Sequence, residues 1–255
     1  EVYLTTGSHF EKNNRGMFHL ILLAENDTGY HNLMKLVSIG QVEGFYYKPR
    51  IDKDALRAHS EGLICLSACV AGELPVLILQ NNMEGARRCI QEYIDIFGKD
   101  NYFLEIQDHD LPEEHKVTGA LKQLAKEFDL GLVATNDLHY VRREDAAAQD
   151  ILLCIQTTST VDEPDRMRFP NDSFYLKSYD EMAERFGDCP EALENPNKIA
   201  DRCHVELEFG HLLLPEFPVP EGFDTAGYLR YLCEQALPKR YPVVDETIRK
   251  RLEFE

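Results

Sequence analysis

The residues best placed to do chemistry are Asn136-Asp137-Leu138-His139, which follow the apolar run Leu132-Val133-Ala134-Thr135. If that run is a strand, Asp137 and His139 occupy alternate positions of an extended segment and face one side. A carboxylate beside an imidazole suits zinc, manganese or iron; a turn-capping aspartate next to a surface histidine would use the same two residue types. The run Ile64-Cys65-Leu66-Ser67 leads similarly to Ala68-Cys69, where the thiol is either a single ligand or a small buried apolar group. Cys65 and Cys69 are not spaced as Cys-x-x-Cys, so neither a zinc knuckle nor a thioredoxin-type pair is indicated. After Phe103-Leu104-Glu105-Ile106 come Gln107, Asp108 and His109, which could serve a site or cap the next helix. His19 lies inside an apolar run and reads locally as a core histidine, and nothing local marks Glu1. The sequence contains no P-loop, glycine-rich dinucleotide fingerprint, Gly-x-Ser-x-Gly elbow or His-Glu-x-x-His helix. Strand-end chemistry therefore points to a metal site on an α/β barrel.

The elements that must position these groups alternate through roughly the first 155 residues, as parallel strands with helical crossovers do. Strands are expected at Glu1 to Leu4, Phe18 to Ala24, Leu63 to Leu66, Tyr102 to Ile106 and Gly131 to Thr135, each mostly apolar as a strand covered on both faces should be. Asp27 to Gly40 has an acidic start, Tyr30, Leu33, Met34 and Val37 at helical spacing, and Gly40 where a C-cap would sit. Glu73 to Gln80, Met83 to Phe97 and Pro112 to Phe128 also read as helices, the last with Glu113 and Glu114 near the positive end of its dipole. Beyond Arg142 the chain becomes mainly helical, with helices at Tyr179 to Phe186, Pro190 to Cys203 and Thr225 to Leu237. The intervening Thr160 to Lys177 is a hairpin or irregular loop. Leu214-Pro215-Glu216-Phe217-Pro218-Val219-Pro220 looks like an extended linker.

The 255 residues allow a sizeable core, and 44% hydrophobic residues without low-complexity tracts fit a folded protein. A net charge of -18 argues against a stand-alone DNA-binding module. Seven cysteines without a repeating framework fit a reducing, cytoplasmic compartment. No run approaches the roughly 20 apolar residues of a membrane span, and no signal-peptide pattern opens the chain. Glu1 followed by extended Val2-Tyr3-Leu4 reads as a start in mid-strand, which would leave an exposed sheet edge there.

Three long motifs, in this order, resemble the bacterial DNA polymerase III alpha subunit: Phe18-His19-Leu20-Ile21-Leu22-Leu23-Ala24-Glu25-Asn26 with Gly29-Tyr30-His31-Asn32-Leu33; Tyr47-Lys48-Pro49-Arg50-Ile51-Asp52; and Ala134-Thr135-Asn136-Asp137-Leu138-His139-Tyr140. Phe174-Tyr175-Leu176-Lys177-Ser178, Ile199-Ala200-Asp201-Arg202-Cys203 and Arg251-Leu252-Glu253-Phe254-Glu255 extend the likeness along the chain. The resemblance implies a polymerase and histidinol phosphatase (PHP) domain, a distorted (β/α)7 barrel of which the last five strands are present, followed by a mainly helical segment. On this reading the barrel spans residues 1–155, its helical extension 156–214, and a linker with the start of the polymerase palm 215–255.

It also implies metal ligands at Glu1, His19, Cys69, Asp137 and His139, with Asp137 and His139 as the pair carrying catalysis, in a site for zinc, manganese or iron. Hydrolysis of phosphodiesters, as in 3′-5′ exonuclease proofreading, is the expected chemistry. The alternative is a silent scaffold that stabilises the polymerase and docks a separate exonuclease, whereas a free-standing PHP phosphatase is disfavoured by the polymerase-like stretches after Ser178. The complete protein is expected to join deoxynucleoside triphosphates to a primer with magnesium at carboxylates beyond Glu255. Its implied partners are DNA, dNTPs, a sliding clamp and a proofreading exonuclease subunit, with no membrane.

Overall fold

The computed structural model describes residues 1–14, 16–212 and 214–255. The chain divides into two compact units, residues 1–206 and 207–255. In chain order the first contains β1 (Val2–Thr5), β2 (Met17–Ala24), α1 (Asp27–Val42), β3 (Arg50–Ile51), α2 (Lys53–Ala58), β4 (Leu63–Leu66), α3 (Glu73–Leu79), α4 (Met83–Phe97), β5 (Tyr102–Ile106), α5 (Pro112–Phe128), β6 (Leu132–Ala134), α6 (Ala146–Thr157), α7 (Tyr179–Phe186) and α8 (Pro190–Ala200). The second contains α9 (Thr225–Arg240) and α10 (Glu246–Phe254). No described helix is long and apolar enough to cross a membrane.

The first unit is of the expected α/β class, with one mixed sheet in the order β3-β1-β2-β4-β5-β6. Two features depart from the expected parallel run of five strands. Only residues 6–16 join β1 to β2, too short a stretch for the crossover of a dozen or more residues that parallel pairing needs. β2 therefore returns antiparallel, with Tyr3 opposite His19, and is antiparallel to β4 as well. β4, β5 and β6 are parallel, joined by helices. The second departure is β3, which pairs parallel to β1 and covers the flank where an exposed edge was expected. A strand of two residues is too short for hydrophobic periodicity to register.

Burial on both sheet faces explains the near-continuous apolar strands. On one face Leu4, Leu20, Leu22, Leu63, Cys65, Leu104, Ile106 and Leu132 pack with Ala86, Ile90 and Tyr93 of α4 and Val117, Leu121 and Leu124 of α5. On the other, Ile64, Leu66 and Val133 meet Ile199 of α8. Asn195 of α8 also donates to the Leu132 carbonyl at 2.7 Å, fixing the helix against β6.

Local signals set the helix ends. Asn26 caps α1 by accepting the Gly29 N–H at 3.0 Å. Gly29 is required there, because a Cβ would lie 1.8 Å from the Gly62 carbonyl oxygen. Gly40 does not end the helix as expected: it is buried within α1, which runs on to a cap at Glu43. The helix from Pro190 stops at Ala200, short of Cys203.

At α7, Ser178 and Glu181 form a capping box, and the Tyr175 hydroxyl donates to Glu181 Oε1 at 2.5 Å. That hydroxyl bond, followed by the Ser178 amide and hydroxyl, holds the Glu181 carboxyl down at about 2. Because the folded pKa lies below the ordinary 4.5, this contribution to stability is complete above about pH 4.5 and is lost as pH falls toward 2. E181Q should therefore be less stable than the parent protein at pH 6, with the gap closing at pH 2. Urea midpoints at the two pH values measure this, and a gap that stays constant would contradict it.

Within the second unit, Asp224 and Asp245 cap α9 and α10 by accepting the N–H groups of Gly227 and Ile248. Arg230 joins the two helices through Glu253. Neither helix has a buried residue.

Candidate metal centre

The antiparallel return of β2 brings His19 back beside the start of the chain. Its Nδ1 lies 3.5 Å from Glu1 Oε1, and its ring meets the Tyr3 ring edge-on at 5.3 Å. The backbone of His19 also donates to the Ala71 carbonyl at 3.1 Å, and Gly72 N–H closes a turn onto the Cys69 carbonyl at 2.8 Å. These bonds bring the turn after β4 against β2, so that Cys69 Sγ is 3.6 Å from the same His19 nitrogen. Glu1, His19 and Cys69 thus form one group, although 50 residues separate His19 from Cys69.

Asp137 and His139 form a second group after β6. His139 Nδ1 lies 2.7 Å from the Asp137 carbonyl, an arrangement in which the ring donates there and leaves Nε2 with its lone pair outward. The ring rests on Phe169 at 4.6 Å and Phe174 at 5.7 Å, and the His139 N–H donates to the Phe174 carbonyl at 3.0 Å. No hydrogen bond joins the two groups among the described residues, but they share one electrostatic field. Burial raises the Asp137 carboxyl; His139 and His109 pull it back, and Glu1 adds to the rise. Burial likewise pushes the Cys69 thiol up to about 12, opposed by the Ala71 amide and reinforced by Asp137, Glu105 and Glu1. Among the described residues, no three His, Cys, Asp or Glu side chains are arranged so that they could hold a metal ion as they stand.

His109, singled out from the sequence as a polar residue after β5, joins neither group, and the strand-end logic did not single out its partner Glu114 or the buried Glu105. His109 is completely buried: its amide and Nδ1 face the two oxygens of Glu114 at 2.6 and 2.7 Å, and its Nε2 lies 2.6 Å from the Asn136 carbonyl. Its ring stacks on Phe174 at 4.1 Å, and Asn171 donates to its carbonyl at 2.6 Å. Glu114, read from sequence as a dipole-facing residue of α5, is thus a buried clasp on the strand-end histidine. Glu105 lies buried in mid-strand, accepting from Thr135 and Gln107. Its signal was visible: a charged residue inside an otherwise apolar strand has to be there for its polar contacts.

Residues 1–109 match the PHP domain family. The matched stretch takes in β1 to β5 of the α/β unit, which is thus of the PHP type, a distorted (β/α)7 class. Over the whole chain, the DNA polymerase III subunit alpha of Treponema pallidum is 46% identical, the match taking in 22% of that protein. The same subunit of Thermus aquaticus is 46% identical over 95% of the chain and 21% of the relative, and that of Campylobacter jejuni is 35% identical over 100% and 24%. The chain belongs to the bacterial DNA polymerase III alpha-subunit family and spans about a fifth of the length of these curated relatives.

Proposed function

We propose that this chain is the PHP portion of a cytoplasmic replicative DNA polymerase and that its barrel holds divalent metal to hydrolyse phosphodiesters in 3′-5′ proofreading. The observation that carries the reading is the convergence of Glu1, His19 and Cys69, at 3.5 and 3.6 Å, on a mouth whose field they share with Asp137. Two ligands of one tetrahedral ion, with bonds of about 2.0–2.3 Å, lie about 3.4–3.6 Å apart, so the His19–Glu1 and His19–Cys69 pairs, each taken singly, have the spacing of ligand pairs. The donors also fit in charge: Glu1 adds to the rise of the Asp137 carboxyl, and both carboxylates add to the rise of the Cys69 thiol, a repulsion that a bound cation would relieve. Glu1, His19, Cys69, Asp137 and His139 would hold the ions, with zinc, manganese or iron matched to imidazole, carboxylate and thiolate.

When bound, such ions polarise the phosphodiester and make a water nucleophilic at neutral pH. The chain's own part is positional. The Asp137 carbonyl fixes the His139 ring, the Phe169 and Phe174 rings wall one side of it, and the His109–Glu114 clasp holds the Asn136 backbone from below. With a net charge of -18, bound cations would offset the repulsion between this acidic chain and DNA phosphates. Polymerisation of deoxynucleoside triphosphates on a primer with magnesium, and docking of a sliding clamp and an exonuclease subunit, belong to the complete protein.

One observation favours a second reading, a silent scaffold that docks a separate exonuclease: no three ligand side chains stand ready for an ion among the described residues. The complete protein and its D137N variant separate the two. Hydrolysis of a primer 3′ end with manganese or zinc should fall by about 100-fold or more in D137N, with bound metal reduced and primer extension unchanged. Equal background hydrolysis and equal metal content in both proteins would leave only the scaffold.

A further inference from the structure

We propose that Glu105 is a positioning residue that sets both cation-facing turns at once, holding the Cys69 turn after β4 and the Asp137 turn after β6 from a single residue of β5. The inference rests on the metal-binding reading above. β5 lies between β4 and β6 in the sheet, so its residues reach both neighbours. On one side the Glu105 backbone N–H donates to Ser67 Oγ at 2.8 Å, and the backbone amide of Ala68 faces the Glu105 carboxyl and stabilises its charged form, which is the contact E105A removes. On the other, Glu105 Oε1 accepts the Thr135 hydroxyl at 2.5 Å and the Gln107 amide at 3.0 Å, and that amide also donates to Thr135 Oγ1 at 3.1 Å. Ser67 and Thr135 each stand two residues before a candidate ligand, Cys69 and Asp137.

The backbone shows why both turns need holding. Ala68, between Ser67 and Cys69, has φ +64°, and Asp137 itself has φ +43°. Neither is glycine, and side-chain-bearing residues keep the left-handed region only where their surroundings impose it. Two such residues, one in each ligand turn, are tied to the same glutamate. A purely structural core position in this strand would be filled at lower cost by leucine: the carboxyl is buried, its Oε2 has no hydrogen-bond partner, and burial raises its pKa despite the Thr135 and Gln107 bonds. The same side chain lines a small cavity together with Cys69 and Gln107. Glu105 thus does for the protein side of the site what hydrogen-bonded outer partners do for metal ligands generally: it fixes where the donors point.

Two measurements on the complete protein test this, one without metal. Hydrogen exchange of the metal-free protein should show the amides of both turns, residues 66–70 and 134–138, exchanging faster in E105A, with β1 and α1 unchanged. T135V, which cuts one tether, should loosen only 134–138. With Co2+ as probe, the thiolate-to-cobalt absorption, identified by its loss in C69S, should need about tenfold more Co2+ in E105A. E105Q, which keeps an oxygen acceptor for Thr135 and Gln107, should restore it. If E105A does not fold, E105Q and T135V carry the comparison: tight cobalt binding and slow exchange at 66–70 in both, with 134–138 loosened only in T135V, support the tether. Wild-type exchange in both turns of E105A, or of 134–138 in T135V, would overturn it. A parent protein without any thiolate–cobalt band would instead remove the metal-binding reading, while the exchange data would still decide whether one glutamate holds both turns.

Discussion

R50A is expected to lose about 3–5 kcal/mol of folding stability, a large share of what a typical domain has. Arg50 has no exposed surface, and its guanidinium donates to four backbone carbonyls: Gly44 at 3.1 Å, Asn14 at 2.6 Å, His9 at 3.2 Å and Glu11 at 2.8 Å. The Tyr46 ring lies over its charge at 5.1 Å. Three of those carbonyls belong to the connection between β1 and β2, whose described residues form no helix or strand to satisfy their own backbone groups. One side chain replaces that missing ladder, and its removal strands several carbonyls together. R50K should recover less than half of the loss, since an ammonium has three donors and no planar fork to span the set. Urea unfolding at constant slope measures the difference, and R50M tests the cause: it fills similar volume without donors, so parental stability in R50M would show that packing, not hydrogen bonding, holds the loop. Because Glu1 directly precedes β1 and β2 carries His19, a loosened connection should also weaken metal retention.

How much of this could be read from the sequence depended on whether the cause was local. β4, β5, α4, α5 and α7 have the bounds expected, because their determinants lie within them: a proline in the first turn of α5, an amphipathic stripe in α4, and a Ser178–Glu181 box at α7. β3 and the antiparallel return of β2 had no such marker; both arise from what β1 pairs with. Gly40 departs from the cap expected of it because a glycine looks the same in sequence whether it ends a helix or lets one pack against β3. The site divides in the same way. Asp137, His139 and Cys69 drew notice by following apolar strands, whereas Glu1 and His19 gained a role only through the resemblance, because their pairing depends on strand register. The buried His109–Glu114 clasp was hidden, since a glutamate in the first turn of a helix has a sufficient solvent-facing explanation.

The segment from Thr160 to Lys177, whose sequence pattern reads as a hairpin or irregular loop, leads to the second large effect. F174A should cost about 3–5 kcal/mol, the range for deleting a buried phenylalanine, and should reduce metal affinity beyond what the lost stability explains. Phe174 is buried, stacks flat on His109 at 4.1 Å, touches Phe169 at 4.6 Å and meets His139 edge-on at 5.7 Å. Its carbonyl accepts the His139 N–H, and its own N–H donates to the Tyr140 hydroxyl at 3.3 Å. One ring therefore separates the buried histidine that clasps the Asn136 backbone from the outer histidine that would bind metal. F174L distinguishes the two contributions. A leucine keeps most of the apolar volume and should stay within about 1.5 kcal/mol of the parent, but it offers no flat face to His109 and no ring to His139. If stability alone governed the site, F174L would bind metal like the parent protein. If ring contacts set the direction of His139, F174L should unfold almost as late as the parent yet hold its metal as poorly as F174A, a divergence that thermal unfolding and metal titration on the same samples would show.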